Sequence, residues 1–520
     1  MPKAVDTLEE RTETIEGCYM HSHWHRTSNS SFALSCLGLL LGLLGTTGCL
    51  RLKQPETAAS NSTSVKYMDT SDKNTTPTIV PTNQPNAVFE LDGKPFCFQG
   101  TNNYYLNFKS REMVDDVFAR AKRLGLGVMR MWAYIDIGSL DKTVKAVDPG
   151  DKKDGTKEGY YTQYWDVAKQ RPAYNDGPTG LGMVDYALHA ARGAGIKVIL
   201  VLTNNWHDFG GMDQYLTWYG LTQHAQFYTD ERVRTAYKNW ALHIINHKNS
   251  IDGMLYRDDP TIFAWELGNE PRTRNYTAFD SPEGWDLATI PKWADEMSQA
   301  IHAADPNHMV AVGDEGQFAE GKKSDFYLGK DGVDHKALLA LKGVDFGTFH
   351  QYPETWGTGV KWSYEWVHDH IKAAYAAKKP TIMEEYGIIV KRDPGKGLDP
   401  GKPNYGEEKR LVTYQRWNDM MLQEGGAGSL FWLLVGKLEN GDIYPDYDHF
   451  TIYEGEKSGD LIKSYSAKYT NENRACLLAP PAAQPASPFV RVRHLPSPEA
   501  VAVQSVREAE AELGGWVALR

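Results

Sequence analysis

The property that most constrains this chain is a rhythm. Between residues 86 and 470, short apolar runs ending in polar, Gly- or Asn-containing turns alternate with segments of helical period. Strands are expected at Cys97–Gly100, Val128–Trp132, Val198–Leu202, Ile262–Glu266, Met309–Val312, Phe346–Phe349, Thr381–Met383 and Ser429–Trp432. Between them lie amphipathic segments at Arg111–Leu124, Gly182–Ala194, Glu231–His247, Pro291–Ala303, Ser363–Ala377 and Glu407–Gln423. Ahead of the first strand, Asp92-Gly93 between AVFEL and KPFCFQG predicts a hairpin turn. Strand and helix alternating eight times predict an α/β fold, a (β/α)8 TIM barrel whose reactive groups sit on the loops after the strands. An open doubly wound sheet competes, but the first strand-to-helix turn, GTNNYYLNF, lacks the G-x-G-x-x-G fingerprint.

The ends read differently. Residues 1–53 form an N-terminal extension that carries no core-building period. Within it the uncharged run Ser31–Gly48 follows Arg26 and the histidines His21, His23 and His25, and precedes Arg51 and Lys53. That pattern is an export signal; a start at Met20 would give it a shorter basic region. Cys49 directly after Gly48 suits bacterial lipoprotein processing, although Thr46 stands where such signals usually carry Leu. The expected fates are a secreted protein, a cell-surface lipoprotein held through Cys49, or a chain anchored by the 31–48 segment itself. Residues 54–85 are rich in Ser, Thr, Asn and Pro and read as a disordered tether. Residues 471–520 turn to Ala and Pro, an irregular tail to which the sequence assigns no role.

Composition removes several classes of function. The 520 residues carry 56 Lys+Arg against 67 Asp+Glu, a net charge of −11, which argues against a nucleic-acid partner. No C-x-x-C pair, H-E-x-x-H helix or Cys/His cluster stands out, so neither metal nor cofactor is expected. Cys97 is the one cysteine between 86 and 470; it is expected to be a small buried apolar residue with no internal disulfide. The 15 Trp and 28 Tyr are flat side chains with a polar edge, suited to a groove that receives sugar rings.

The chemistry gathers at the strand ends: Arg130 in VMRMWA, then TNNWHDFGG, WELGNEPR, FHQYPETW, MEEYG and LFWLL. A barrel brings these tips to one mouth. Two of them offer a carboxylate among aromatic residues and hydrogen-bond donors, Glu270 between Asn269 and Pro271, and Glu385 between Glu384 and Tyr386. Paired carboxylates across one pocket are the apparatus of glycoside hydrolysis.

The set RMWA, NNWHDFGGMDQYLTW, WELGNEPR, HQYPETW and EEYG, in that order, resembles glycoside hydrolase family 5, and within it the endo-β-1,4-mannanases. The resemblance covers about Asn86 to Tyr465. It implies a retaining enzyme acting on a neutral β-mannan polysaccharide, with Glu270 as acid/base and Glu385 as nucleophile; separately, a monomer is expected. It implies that Arg130 and Tyr352 hold the nucleophile ionised and aimed, that Asn269 bonds the sugar 2-hydroxyl, that His350 belongs to the same tip, and that Trp432 floors the subsite before the scissile bond. Trp132, Asn205, Trp206 and Arg272 match sugar-contacting positions. Other β-glycosidases of this family, cellulases and exo-acting mannosidases, share the apparatus, and a barrel that binds sugar without cleaving it is the reading from another class.

Three expectations follow that geometry can test. A raised pKa should keep Glu270 protonated. Retention requires carboxyl groups roughly 5–5.5 Å apart, against roughly 6.5–9.5 Å for inversion. Glu384 competes with Glu385, because neighbouring strand residues face opposite ways. Glu315 either touches substrate or bonds a loop, and the insertions at 141–180 and 314–344 could wall one end of the cleft.

Overall fold

The boundaries of helix Arg111–Leu124 are encoded locally: the Ser110 hydroxyl accepts from the Met113 N–H at the N-terminus, and Gly125, at φ 72°, closes the C-terminus. In the computed structural model, residues 87–148, 159–282, 285–321, 324–393, 397–398, 405–470 and 487–495 are described. The 31–48 run, Cys49, the tether and the tail at 471–486 and 496–520 lie outside them. Among the described residues no helix is long and apolar enough to cross a membrane.

Eight parallel strands form the barrel: β1 (Phe98–Asn103), β2 (Val128–Trp132), β3 (Lys197–Val201), β4 (Ile262–Glu266), β5 (Met309–Ala311), β6 (Gly347–Gln351), β7 (Thr381–Tyr386) and β8 (Gly428–Phe431). Their ladder runs β5-β4-β3-β2-β1-β8-β7-β6. The seam between β5 and β6 is bridged by Asp345 N–H to the Val310 carbonyl, 2.9 Å, and His350 N–H to the Glu315 carbonyl, 3.1 Å. All eight expected strands are present; the ends shift by up to three residues.

The expected hairpin forms between strands Ala87–Leu91 and Lys94–Phe96, with Asp92 and Gly93 both at positive φ. It plugs the N-terminal end of the barrel. Phe89 is fully buried there, with ring centroids 5.0 Å from Phe263, 5.3 Å from Phe346 and 6.1 Å from Phe98.

The tail read as irregular contributes to this floor. Arg491–His494 pairs antiparallel with Ala87–Leu91, and Val490 joins the apolar cluster under the barrel. The edge of a two-stranded hairpin accepts a third strand, and nothing in local composition announces that. Cys97 is disulfide-bonded, against expectation. It is the one cysteine among the described residues, and a count of thiols confined to 86–470 cannot reveal such a bond.

The insertion after β2 builds a three-stranded sheet, Asp136–Ser139, Gln163–Asp166 and Arg171–Tyr174, beside helix Gly211–Tyr219. The insertion after β5 carries the short helix His335–Leu339.

Candidate active site

Arg130 lies at the centre of the mouth, fully buried on β2. Its Nε and Nη2 donate to the two oxygens of Glu266 on β4, each at 2.6 Å. Nη2 also reaches Asn269 Oδ1 at 2.8 Å, while Nη1 donates to Asn102 Oδ1 at 3.1 Å and to Glu385 Oε1 at 2.5 Å. One planar fork thus fixes groups from β1, β4 and β7, which a lysine could not do. Glu266 was not singled out from the sequence. The signal was there, a carboxylate ending the apolar run IFAWE, where a buried charge demands a partner. Gly313 leaves it room: a Cβ there would lie 2.2 Å from Glu266 Oε1.

Glu385 takes its second hydrogen bond from the Tyr352 hydroxyl, 2.7 Å to Oε2. Glu384 does not face the other way. The β6–β7 register shifts at this point, pairing Phe349 with Met383 but His350 with Glu385. That bulge turns both carboxylates inward: Glu384 lies deeper, 3.4 Å from His350 Nε2 and 3.7 Å from Arg130 Nε, and Glu385 stands at the mouth.

Glu270 faces it from the end of β4. Its backbone sits in the left-handed region, φ 53°, a costly conformation for a side-chain-bearing residue, held by its N–H to the Gly313 carbonyl at 2.8 Å. His350 Nδ1 is 2.7 Å from Oε1, and Trp206 Nε1 donates to Oε2 at 2.6 Å. One oxygen each of Glu270 and Glu385, with a nitrogen of His350, lie within 4.8 Å of one another.

The proton distribution differs from expectation. Burial pushes the Glu270 carboxyl up, but the hydrogen bond and charge of His350, with the charge of Arg272 and the Trp206 N–H, outweigh it and hold the group at about 2. His350 is shifted the opposite way: burial pushes it down, yet the Glu385 charge and the bonds to Glu270 and Glu384 raise it well above the ordinary histidine value. Glu385 is raised, by burial first and by the Glu270 charge, against His350, Arg130 and the Tyr352 hydroxyl. Burial also lifts Glu266 to about 8, against Arg130.

Most of the remaining candidates are buried. Trp132 and Trp432 stand side by side with centroids 5.9 Å apart, Trp132 over the Arg130 guanidinium and Trp432 donating to Asp448 Oδ2 at 2.7 Å. Trp206 and Tyr352 are partly exposed. Asn269 has both ends of its amide engaged, by Arg130 and by Asn204 Oδ1 at 3.0 Å. Two residues matched to sugar-contacting positions lie in the wall. Asn205 is fully buried, its Oδ1 3.0 Å from His224 Nε2 and accepting from Arg272 N–H at 3.1 Å. Arg272 is fully buried beneath Trp206, bonded to Glu315 at 2.6 Å and Asp331 at 3.0 Å. Its charge needed two carboxylates, and both come from the insertion after β5. Glu315 therefore bonds a loop.

Residues 82–437 match the family profile described as glycoside hydrolase family 5 beta-mannosidase-like. The chain belongs to glycoside hydrolase family 5. Within that family it is 37% identical over 398 residues to "Probable mannan endo-1,4-beta-mannosidase C" of Aspergillus terreus, across 74% of this chain and 91% of the relative. It is 31% identical over 371 residues to "Mannan endo-1,4-beta-mannosidase A" of Podospora anserina, across 71% and 85%. Among solved structures, the endo-1,4-beta-mannanase from Rhizomucor miehei superposes with a TM-score of 0.64 at 35% identity, covering 75% of this chain and 99% of that one. This family 5 barrel is a glycoside hydrolase.

Proposed function

We propose that this protein is a retaining endo-β-1,4-mannanase that cleaves internal β-1,4-mannosidic bonds of mannans, glucomannans or galactomannans. The observation that carries the reading is the facing pair Glu270 and Glu385. Their nearest oxygens lie within 4.8 Å, which favours the close carboxyl pair of a retaining enzyme over the wider pair of an inverting one.

Glu385 attacks the anomeric carbon, aimed by Arg130 and Tyr352, whose donors stabilise its ionised form against burial. The proton for the leaving oxygen is shared by Glu270 and His350 across 2.7 Å. A bound sugar oxygen adds a third acceptor, so proton transfer needs no long movement, and Glu270 then deprotonates the incoming water. Asn269, oriented through Arg130 and Asn204, bonds the 2-hydroxyl, and Trp432 and Trp132 form the sugar platform. The disulfide at Cys97 favours an oxidising compartment and so supports export, either as a free secreted enzyme or held at the cell surface.

Release of reducing ends is measured from mannan, cellulose and xylan, beside Glu270→Ala, with the first-formed anomer followed by NMR. Mannan cleaved to β-configured oligosaccharides, with activity lost in the variant, is expected. Failure to hydrolyse mannan overturns the substrate, and an α-configured first product overturns the mechanism.

A further inference from the structure

A second cluster of ligating side chains stands apart from the catalytic mouth, on the outer flank of the barrel. His243 lies in the last turn of helix Glu231–Ile245, and His247 follows two residues beyond its end. Opposite them is Asp176, two residues beyond strand Arg171–Tyr174 of the inserted sheet. His243 Nε2 lies 2.7 Å and His247 Nδ1 3.6 Å from the same oxygen, Asp176 Oδ1, and one ligand atom from each of the three falls within 4.8 Å of the others.

We propose that Asp176, His243 and His247 form a zinc site that staples the inserted sheet to the barrel helix. Two imidazoles and a carboxylate are ligands of the type zinc takes, and bonds of about 2.0–2.1 Å at tetrahedral angles place ligand atoms roughly 3.3 Å apart. The observed 2.7 and 3.6 Å straddle that spacing, so a small rotation of the Asp176 carboxylate admits the ion. The fourth position opens to water, since the Asp176 side chain is 52% exposed.

The surroundings of His247 are those of a metal ligand. Its other nitrogen, Nε2, is 3.0 Å from Asp185 Oδ1, a carboxylate placed to accept the Nε2 proton when Nδ1 binds a metal. Asp185 is fully buried and is itself fixed by the Tyr256 hydroxyl at 2.7 Å and the Ser250 N–H at 2.9 Å. His243 is held flat by Tyr174, whose ring stacks on it at 4.1 Å. No short motif marks the site, because HIINH carries no glutamate and the third ligand stands 67 residues earlier.

The test is titration of the full, chelator-treated chain with zinc chloride at about pH 7.5, beside His243→Ala, Asp176→Asn and Asp185→Asn. Two other places could take up zinc, the histidines His21, His23 and His25 and the catalytic trio Glu270, His350 and Glu385, and every variant keeps both. The wild type is expected to bind one more equivalent than His243→Ala or Asp176→Asn, with a zinc-dependent rise in Tm that both variants lack. Asp185→Asn should weaken that equivalent by about 10–100-fold. Equal stoichiometry in wild type, His243→Ala and Asp176→Asn, or no zinc bound by any of them, overturns the proposal. His243 is a partly exposed helix residue, so its truncation leaves the fold and mannan hydrolysis in place as controls.

Discussion

His350 Nδ1 lies 2.7 Å from Glu270 Oε1, a distance at which the two groups can share one proton. Replacing His350 by Asn removes the carrier. In the wild type the raised His350 pKa keeps the proton available below that value, and it is lost as pH rises through it, which sets the alkaline limb of kcat/KM. Without His350, Glu270 alone carries the proton and the alkaline limb falls to lower pH. Glu385 loses a stabilising charge, so the acid limb moves up. A pH–rate profile narrowed from both sides is expected; an unchanged profile rules out the shared proton.

Trp206→Phe keeps the ring and removes one donor from Glu270 Oε2. A hydrogen bond to a charged group contributes about 1.5–3 kcal/mol. Steady-state kinetics on mannan should therefore show kcat reduced by about 10–100-fold, with KM moving less. A fall confined to KM would make Trp206 a binding surface alone.

Both glutamates of the EEYG tip point inward, Glu384 deeper and Glu385 at the mouth. Glu385→Ala is expected to lower kcat by at least about 10⁴-fold, as removal of a nucleophile does. Glu384→Ala should lose stability first, because Glu384 lies under the mouth against His350 and Arg130. Activity abolished in the folded Glu384→Ala protein but retained in Glu385→Ala would reverse the assignment.

Arg130→Lys leaves a single ammonium where a fork served Glu266, Asn269, Asn102 and Glu385. Stranding a buried carboxylate costs about 3–5 kcal/mol. Urea denaturation should show a loss of that size together with the loss of activity. A stable but inactive variant would mean that the fork aims groups without holding the barrel.

Phe89→Ala removes the ring on which the barrel floor converges, at an expected cost of about 3–5 kcal/mol. Thermal unfolding measures it. A cost under about 1 kcal/mol would show that the hairpin is a cover and not a plug.

Periodicity and turn chemistry, read locally, determined the eight strands, the floor hairpin and the order of the polar tips. The resemblance carried by those tips then pointed to Glu270, Glu385, Arg130, His350 and Tyr352, five side chains that the barrel gathers around one mouth. What only the tertiary structure decided lies in pairings between distant segments. Arg130 and Glu385 are 255 residues apart in the chain, and the bulge that turns Glu384 inward depends on the register of β7 against β6. Arg272 reads as a sugar contact until Glu315 and Asp331 close over it. The tail strand at Arg491–His494, the disulfide at Cys97 and the Asp176–His243–His247 cluster were invisible for the same reason. Backbone periods repeat over a few residues, whereas the partner that satisfies a buried charge, an open strand edge or a ligand set is chosen by whatever folding brings beside it.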